Sequence, residues 1–467
     1  MTLRHSASRR RFLLAAGAAA AAAALPLPLR AQGAGPDVAV IGAGGAGITA
    51  AKQLTAAGYK VVLLEARDRI GGRAFTDGAS VGVPWDRGCS WLHSSEVNPW
   101  VGYARANGFE VFADNHPRRI FDGEKAMGAA ELAGFGALRD RMDAELEAAG
   151  RRGLDIPAEE AFTLATRQDE WYPLAASGLT AWEGVEPSNF SALDSFHYVE
   201  RGDDLLIPKG YGNLLAHYAR GLEVRLRSPV SRLRWGSRGV MLDTPGGTLS
   251  ARVAVVAVPS ATIAQGQLVF SPWLPVDVQE AHHHLPLGLM NKVALRFKRN
   301  VFPVESSEAL RQRRSGWRGM SYITRLWGGN VAVGMSAGAF AHELEAAGEQ
   351  AAIDHALGEL ASMLGGDLRR HFDRGAATAW ASDPFSRGAY SHCLPGRFGA
   401  RERLTHPVGD RIVFAGEHTE QSAYGTLHGA HLSGLRRTGS GALSLQGAVT
   451  RTLRPLHIDL FRVHLRA

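Results

Sequence analysis

The residues whose types and spacing most directly predict chemistry lie between positions 38 and 73. Gly42, Gly44 and Gly47 follow a short apolar run and begin a helical pattern, and Glu65 ends a second apolar run. Gly42 can form the tight turn, Gly44 lets a pyrophosphate approach the backbone, and Gly47 lets the helix pack closely on the strand. The helix start offers N–H groups to phosphates, and the Glu65 carboxylate can bind an adenosine ribose. This order predicts a site for an ADP-containing cofactor.

A second glycine pair follows directly, in the segment RDRIGGR from Arg67 to Arg73. The glycines and Arg73 are placed to meet the same diphosphate from its other side, which nicotinamide enzymes do not need. The segment resembles the R-x-G-G-R motif of the FAD-dependent amine oxidase family, which includes monoamine, polyamine and histone-lysine oxidases. The resemblance implies FAD, with Arg67 and Arg73 among its ligands. Carotene desaturases share the motif, so it predicts the cofactor better than the substrate.

Lys292 is the lone cation among apolar neighbours in the segment NKVALRF. A partly desolvated lysine has a lowered pKa, so it can hold a water molecule or take a proton. The amine oxidase family has a lysine in the same N-K-V context, hydrogen-bonded through water to the flavin N5. The alternative is a lysine that extends from a strand end into solvent.

The segment from Trp380 to Ser391 resembles the family motif W…D-P…G-(S/A)-Y-S. The resemblance implies that Trp380 lies beside the flavin and that Tyr390 lies on its face, where an aromatic ring shapes a slot for the amine. Animal monoamine oxidases have a cysteine, thioether-linked to the flavin, at the position of Ala389. Alanine cannot form that bond, so non-covalent FAD is predicted.

The segment from Phe414 to Gly434 resembles a further family signature, F-A-G-E-x-T…G-T-V-H-G-A-x-L-S-G. It implies that Glu417 lies at the ribityl and diphosphate region, and that a helix beginning near Thr426 donates N–H groups to the flavin N1/O2 side. Thr426 occupies the position of a second tyrosine in monoamine oxidases. Polyamine and histone-lysine oxidases have threonine there, so Thr426 favours their type.

Two further residues are assigned by the resemblance. Val230 matches the residue whose backbone meets the adenine, and His93 matches a histidine of spermine and acetylpolyamine oxidases. An ordinary hydrogen-bonded loop histidine is the alternative for His93.

Six acidic residues lie between positions 183 and 204, with only one arginine among them. We interpret this segment as a solvated surface in preference to a carboxylate-lined approach for a cationic amine. These acids are Glu183, Glu186, Asp194, Glu200, Asp203 and Asp204.

No metal site is predicted, because three adjacent histidines at 282–284 point in different directions on a helix. The two cysteines, Cys89 and Cys393, cannot form a disulfide framework, and Cys89 is interpreted as a small buried hydrophobe. One bridge between them stays open.

The charge of the chain is concentrated in its first 30 residues, which contain five arginines and no acid. The remainder has 47 basic and 45 acidic residues, so the pI near 9.6 does not indicate nucleic-acid binding. Ser8–Leu14 (SRRRFLL) precedes an alanine-rich apolar run and a cleavage point after Ala31, which resembles a twin-arginine export signal. The prediction is an exported periplasmic or secreted protein without a stable membrane span after processing. An uncleaved anchor helix is the alternative, although an apolar run this rich in alanine and ended by prolines inserts poorly into a membrane.

The resemblance covers residues 36–435, and the predicted fold is α/β, a Rossmann-type FAD-binding domain with an inserted α+β substrate domain. The FAD domain is assigned to 36–95, 205–270 and 395–437, the substrate domain to 96–204 and 271–394, and 438–467 to a divergent tail. The predicted reaction oxidises a C–N bond of a (poly)amine and reduces O₂ to hydrogen peroxide. A flavin-dependent amino-acid oxidase or other FAD oxidoreductase, and a non-catalytic flavin-binding protein, are the alternatives.

Overall fold

The computed structural model describes residues 35–303 and 306–438. The predicted signal peptide and residues 439–467 of the predicted tail lie outside the described residues. The strands are β1 (Val38–Ile41), β2 (Val61–Leu64), β3 (Thr76–Asp77), β4 (Trp85–Asp86), β5 (Trp91–Leu92), β6 (Phe112–Ala113), β7 (Arg118–Asp122), β8 (Lys125–Ala126), β9 (Leu205–Leu206), β10 (Val224–Arg225), β11 (Arg232–Gly236), β12 (Gly239–Thr244), β13 (Gly247–Ala251), β14 (Val253–Val256), β15 (Val269–Ser271), β16 (Leu287–Gly288), β17 (Met290–Phe297), β18 (Ala309–Gln312), β19 (Ser321–Ile323), β20 (Val331–Ala337), β21 (Phe372–Ala377), β22 (Tyr390–Ser391) and β23 (Ile412–Phe414). The helices are α1 (Gly45–Ala56), α2 (Pro99–Ala106), α3 (Ala129–Arg151), α4 (Ala158–Ala161), α5 (Leu164–Arg167), α6 (Tyr172–Glu183), α7 (Ala192–Phe196), α8 (Tyr211–Tyr218), α9 (Ser260–Ala264), α10 (Val276–His283), α11 (Gly338–Ala347), α12 (Glu349–Leu364), α13 (Ala400–Arg403) and α14 (Leu427–Thr438).

A five-stranded parallel sheet in the order β10-β2-β1-β14-β23 carries the glycine turn. Alternate residues of β1 and β14 belong to two different hydrophobic clusters, so the sheet is covered on both faces. Every residue of β14 is fully buried, which confirms the prediction of a doubly buried strand from its continuous apolar run.

The second large sheet is mixed and has seven strands, in the order β21-β17-β20-β19-β18-β7-β8. Its strand β17 carries Lys292 and pairs antiparallel with β20 and β21. Buried apolar residues of α11 and α12 pack against one face of this sheet. Lys292 therefore lies on a strand fixed from both sides.

The hydrophobic packing differs from the predicted domain division at two places. Trp100 and Ala104 of α2 belong to the same cluster as Val38, although residues 96–204 were assigned to the substrate domain. Val278 of α10 packs in the cluster of Ile41, although 271–394 was assigned there too. Both helices follow a point where the sequence pattern of the FAD-binding segments ends. The end of that pattern does not reveal which sheet the next helix covers.

Two local predictions, one for α2 and one for α3, are confirmed. Helix α2 begins after Asn98, whose side chain accepts a hydrogen bond from the Trp100 N–H at 3.0 Å. Leu138 and Met142 of α3 are buried in a core of their own. Within the part of the chain that the structure describes, no helix combines the length and apolarity needed to cross a membrane.

Candidate active site

A cavity of about 610 Å³ extends between the glycine turn and strand β17. Its wall includes every predicted site residue except Gly47. The predicted residues in the wall are Gly42, Gly44, Glu65, Arg67, Arg73, His93, Val230, Lys292, Trp380, Tyr390, Glu417 and Thr426. Residues separated by up to 384 positions in the sequence are thus brought to one cavity.

The three glycines of the turn, Gly42, Gly44 and Gly47, have different structural roles. Gly42 has φ +99°, a left-handed conformation that favours glycine. A Cβ on Gly44 would meet no protein atom within 4 Å, whereas a Cβ on Gly47 would overlap the carbonyl oxygen of Gly42. Gly47 therefore permits close packing of α1 on β1 and is not part of the cavity wall. Glu65 holds the turn, since its Oε2 accepts the Ala43 N–H at 2.7 Å.

Arg67 and Arg73 both line the cavity, but their guanidinium groups also bind protein acceptors. Arg67 Nη1 lies 2.8 Å from Asp383 Oδ1. Arg73 Nη1 donates to the carbonyl of Ala389 at 2.6 Å and to Glu417 Oε1 at 2.9 Å. The two arginines tie the segment around positions 383–389 to the turn that follows β2.

Glu417 is a buried carboxylate at the end of the fifth parallel strand, as its motif predicts. Its Oε2 accepts hydrogen bonds from Ser391 Oγ at 2.7 Å and from the Gly425 N–H at 2.9 Å. Burial alone would raise the pKa of Glu417, but the charge of Arg73 and the bond from Ser391 outweigh burial and lower the pKa to about 2. Glu417 is therefore ionised at any physiological pH.

Lys292 is buried, and its Nζ donates three hydrogen bonds within the protein. The acceptors are the carbonyls of Asp86 at 3.1 Å and Gly88 at 2.6 Å, and Ser90 Oγ at 2.5 Å. Burial lowers the pKa of Lys292 to about 8, and Asp86 opposes that shift. In the charged form all three N–H groups have protein partners, so the predicted water-binding role requires the lone pair of the neutral form.

Seven phenylalanine, tryptophan and tyrosine residues line the cavity, and we call five of them the aromatic slot. The Trp380 Nε1–H donates to the carbonyl of Arg87 at 3.1 Å, and the Tyr390 hydroxyl donates to the carbonyl of Ala181 at 2.5 Å. These bonds fix two of the five rings against the backbone. The slot residues are Trp182, Tyr198, Trp380, Tyr390 and Tyr424.

His93 lies at one side of the aromatic slot. Its Nδ1 lies 2.9 Å from Asp204 Oδ1, and its ring contacts the edge of Trp182 at a centroid distance of 5.3 Å. Asp204 also lines the cavity. The histidine thus lies next to a carboxylate and is part of the cavity wall.

Thr426 lies in the cavity wall, but its hydroxyl is engaged in capping. The Oγ1 accepts the Gly429 N–H at 2.9 Å and donates to the carbonyl of Ala423 at 2.6 Å. These bonds satisfy a free N–H in the first turn of α14, which begins at Leu427. The predicted helix start is confirmed. The Thr426 hydroxyl stabilises the start of α14 and is not free to bind a ligand.

The interpretation of the acidic segment as a solvated surface is wrong for two of its members. Glu183 is 2% exposed, and its Oε1 accepts the Tyr424 hydroxyl at 2.8 Å. Asp194 forms a buried ion pair with Arg401 at 2.9 Å. Burial raises the pKa of Glu183 to about 7. Sequence reasoning also missed Tyr424, which stands two positions before Thr426 and could have been suspected only from its aromatic character.

The remaining predictions concern metals and thiols. His282 is fully buried and packs on Phe414, and His283 is exposed, so the adjacent histidines do point apart. In residues 35–303 and 306–438 no group of three or more potential ligands could hold a metal ion. Cys89 and Cys393 are free, and Cys89 lines the cavity, where burial raises its pKa to about 12.

The wall of the cavity fits FAD from end to end. Val230 and Glu65, which are assigned to the adenosine, line the cavity, and the space above Gly44 leaves room for a diphosphate at the start of α1. Lys292 and Tyr390, which the motifs assign to the isoalloxazine ring, line the same cavity. Ala389 has no atom that could bond a flavin covalently.

The parallel sheet, the glycine turn and this cavity define a flavoprotein oxidoreductase. The sequence model of the family described as flavin containing amine oxidoreductase matches residues 46–438, and the chain belongs to this family. It is therefore an FAD-dependent amine oxidase, as the motifs predicted.

Several known proteins are similar over most of the chain. Polyamine oxidase 2 of Arabidopsis thaliana is 31% identical over 432 residues, which cover 86% of each chain. Polyamine oxidase 4 of Oryza sativa subsp. japonica is 29% identical, covering 86% of this chain and 87% of the rice protein. An engineered putrescine oxidase with redesigned cofactor binding has a similar fold, with a TM-score of 0.72 at 20% identity, covering 87% of this chain and 99% of that one.

Proposed function

We propose that this amine oxidase acts on an amine with a second positive charge, a diamine or polyamine. The observation that carries the proposal is the His93–Asp204 pair at 2.9 Å beside the aromatic slot. The Asp204 carboxylate lies in the cavity wall, where it can attract a second ammonium group, and the Trp182 ring can bind that group through a cation–π contact. The similar proteins named polyamine oxidases support this assignment.

A second, acidic cavity of about 500 Å³ adjoins the first. Asp114 and Asp204 line both cavities, which makes the second one an approach to the aromatic slot. Three further charged residues line it, of which only Arg118 is cationic, so its net charge is negative. The three are Arg118, Glu200 and Asp203.

The charges in the main cavity do not favour a substrate with a free carboxylate. The arginines in its described wall, Arg67, Arg73 and Arg87, each have a carboxylate partner within the protein. An amino-acid oxidase needs a guanidinium that is free to bind the substrate carboxylate. The paired arginines therefore support amine oxidation over the amino-acid oxidase alternative.

The residues around the reacting nitrogen must keep it neutral, because a protonated amine has no lone pair to stabilise the cation that forms. Trp380 and Tyr390 exclude water and so disfavour the charged amine. Lys292 takes up a proton or holds a water molecule, and His93 binds or deprotonates the second amine. Bound FAD would supply the acceptor for the hydride that leaves the amine carbon, and its reoxidation by O₂ would yield hydrogen peroxide. Water then hydrolyses the imine.

Peroxide release from a panel of amines tests the proposal. We expect kcat/KM to be higher for putrescine and spermidine than for tyramine, and negligible turnover of amino acids. Asp204→Asn should raise KM for the diamine about 10-fold, the effect of one charged hydrogen bond, and leave KM for the monoamine unchanged. Asp354→Asn, at an exposed acid of α12, is the control.

Two results would contradict the proposal. Equal catalytic efficiency for monoamines and diamines would remove the second-charge requirement. A protein that binds FAD and is not bleached by any amine would favour the non-catalytic alternative.

We also propose that residues 1–31 direct twin-arginine export and that the mature protein is periplasmic or secreted. The support is the SRRRFLL motif and the physical logic of this route, which carries proteins already folded around a cofactor. Replacing Arg9 and Arg10 with lysine should retain the amine oxidase activity in the cytoplasm. Unchanged distribution of activity between cell fractions would disprove the assignment.

A further inference from the structure

Three consecutive residues at the C-terminal end of α6 each contact a side chain of the cavity wall. The carbonyl of Ala181 accepts the Tyr390 hydroxyl at 2.5 Å. The Trp182 ring contacts His93, and the carboxylate of Glu183 accepts the Tyr424 hydroxyl at 2.8 Å. The position of this helix end therefore determines where the rings of the slot stand.

A close backbone contact fixes this helix end. Gly184, with φ +75°, ends α6, and its carbonyl accepts the Leu289 N–H at 2.7 Å. Any Cβ on Gly288 would lie 2.7 Å from Gly184 backbone atoms. Gly288 is in turn the register partner of Tyr390 in the β16–β22 pair. The helix end and Tyr390 thus share one backbone support.

Tyr424 is held on several sides. Its ring is 4% exposed and lines the cavity, and the Arg401 guanidinium lies over it at 4.0 Å. Arg401 is itself fixed by its buried ion pair with Asp194. The Tyr198 ring packs edge-on against Tyr424 at a centroid distance of 5.3 Å. Such a ring has little freedom to reorient.

The residue that follows Tyr424 in the sequence contacts Tyr390. A Cβ on the intervening residue Gly425 would lie 3.6 Å from the Tyr390 side chain, so Gly425 packs directly against that ring. Thr426 has no ring, and its hydroxyl caps α14. Tyr424 is therefore the aromatic residue that this segment contributes to the cavity wall.

We propose that Tyr424 is a substrate-contacting wall of the aromatic slot and that Glu183 is the residue that positions it. The inference rests on the proposed function, since it assigns the wall against which the amine is bound. An amine entering the slot meets Tyr390 on one side and Tyr424 on the other. The Glu183 carboxylate does not touch the substrate but fixes the Tyr424 ring through its hydroxyl.

Variants at 424 and 183 test the two parts separately. Tyr424→Leu removes the ring and should raise the amine Kd about 10-fold, the order of a lost aromatic contact to an amine. Tyr424→Phe and Glu183→Ala both remove the hydroxyl–carboxylate bond and should raise Kd by the same smaller factor. Glu183→Gln keeps an acceptor oxygen and should restore the wild-type Kd.

The measurement is anaerobic stopped-flow reduction of the FAD-loaded protein, which gives the amine Kd and the limiting rate separately, together with the melting temperature. Tyr322→Phe is the matched control. The Tyr322 hydroxyl donates to a buried glutamate, Glu359, also at 2.8 Å, but Tyr322 is not part of the cavity wall. We expect it to lower the melting temperature and leave Kd unchanged.

A wild-type Kd in Tyr424→Leu or, should that variant fail to fold, in Tyr424→Phe would overturn the inference. A Kd in Glu183→Gln as high as in Glu183→Ala would overturn the positioning role. If the wild type is reduced by amines while the Tyr424 variants match it, only this inference fails. If no amine reduces the wild type, the proposed function fails and the inference fails with it.

Discussion

Replacement of Lys292 by methionine is the perturbation for which the structure gives the most detailed expectation. Burial lowers the pKa of this lysine to about 8, so about one molecule in ten has a neutral Lys292 at pH 7 and about nine in ten at pH 9. Only the neutral form has a lone pair for a proton or water, because the charged form donates to Asp86, Gly88 and Ser90. The rate that depends on Lys292 should therefore rise about 10-fold between these pH values.

Lys292→Met should lower the rate of flavin reduction by about 10²–10⁴-fold, the usual contribution of a positioned proton-transfer group. Stopped-flow reduction under anaerobic conditions, across pH 6 to 10, measures both the rate and its midpoint. The protonation of the substrate amine affects wild type and variant alike, so only the inflection near pH 8 should disappear. Lys298→Met, at the exposed lysine directly after β17, should keep the inflection.

The same substitution should change the pH dependence of stability. Between about pH 8 and 10.5 the unfolded chain binds more protons at Lys292 than the folded protein does, so this residue makes stability rise with pH, by about 3 kcal/mol in total. The slope should be absent in Lys292→Met. A variant with the wild-type rate, or one that retains the inflection near pH 8, would refute the reasoning.

Three further predictions concern binding and stability. Gly44→Ala should fold with a near-normal melting temperature but bind FAD at least about 10-fold more weakly, whereas Gly47→Ala should lower the melting temperature itself, as thermal melting and FAD titration would show. The low pKa of Glu417 gives stability that is fully present above about pH 4.5 and is lost as the pH falls toward about 2; acid unfolding of Glu417→Gln should lack this contribution of about 3 kcal/mol. Arg401→Met leaves the buried Asp194 unpaired and should cost about 3–5 kcal/mol in denaturant unfolding.

The dinucleotide-binding unit could be predicted from sequence because each of its signals is local. The apolar runs of β1 and β2, the turn at Gly42 and the end of α1 before Gly58 are all determined by neighbouring residues. The domain boundaries at 96 and 271 stay predictions, because no local signal shows which sheet a helix covers. The faces that α2 and α10 bury are complementary to a sheet whose strands come from distant parts of the chain.

The candidate site shows the same division between local and distant information. The apolar neighbours of Lys292 predicted its lowered pKa, but its hydrogen-bond partners lie about 200 positions earlier in the sequence. Thr426 was correctly placed at a helix start, yet capping and cavity lining cannot be distinguished without coordinates. Glu183 looked like one of six surface acids because its partner, Tyr424, lies on another segment.

The contact between Gly184 and Gly288 has a consequence for how substrate preference could diverge in this enzyme. A side chain at either position would force α6 away from the strand that bears Tyr390. The distance between α6 and the strand that bears Tyr390 is therefore set by main-chain atoms. Neither glycine can be replaced to make room for a bulkier amine. Selection for new substrates would have to replace the aromatic side chains of the slot, one at a time, while the backbone contact between α6 and the strand stays constant.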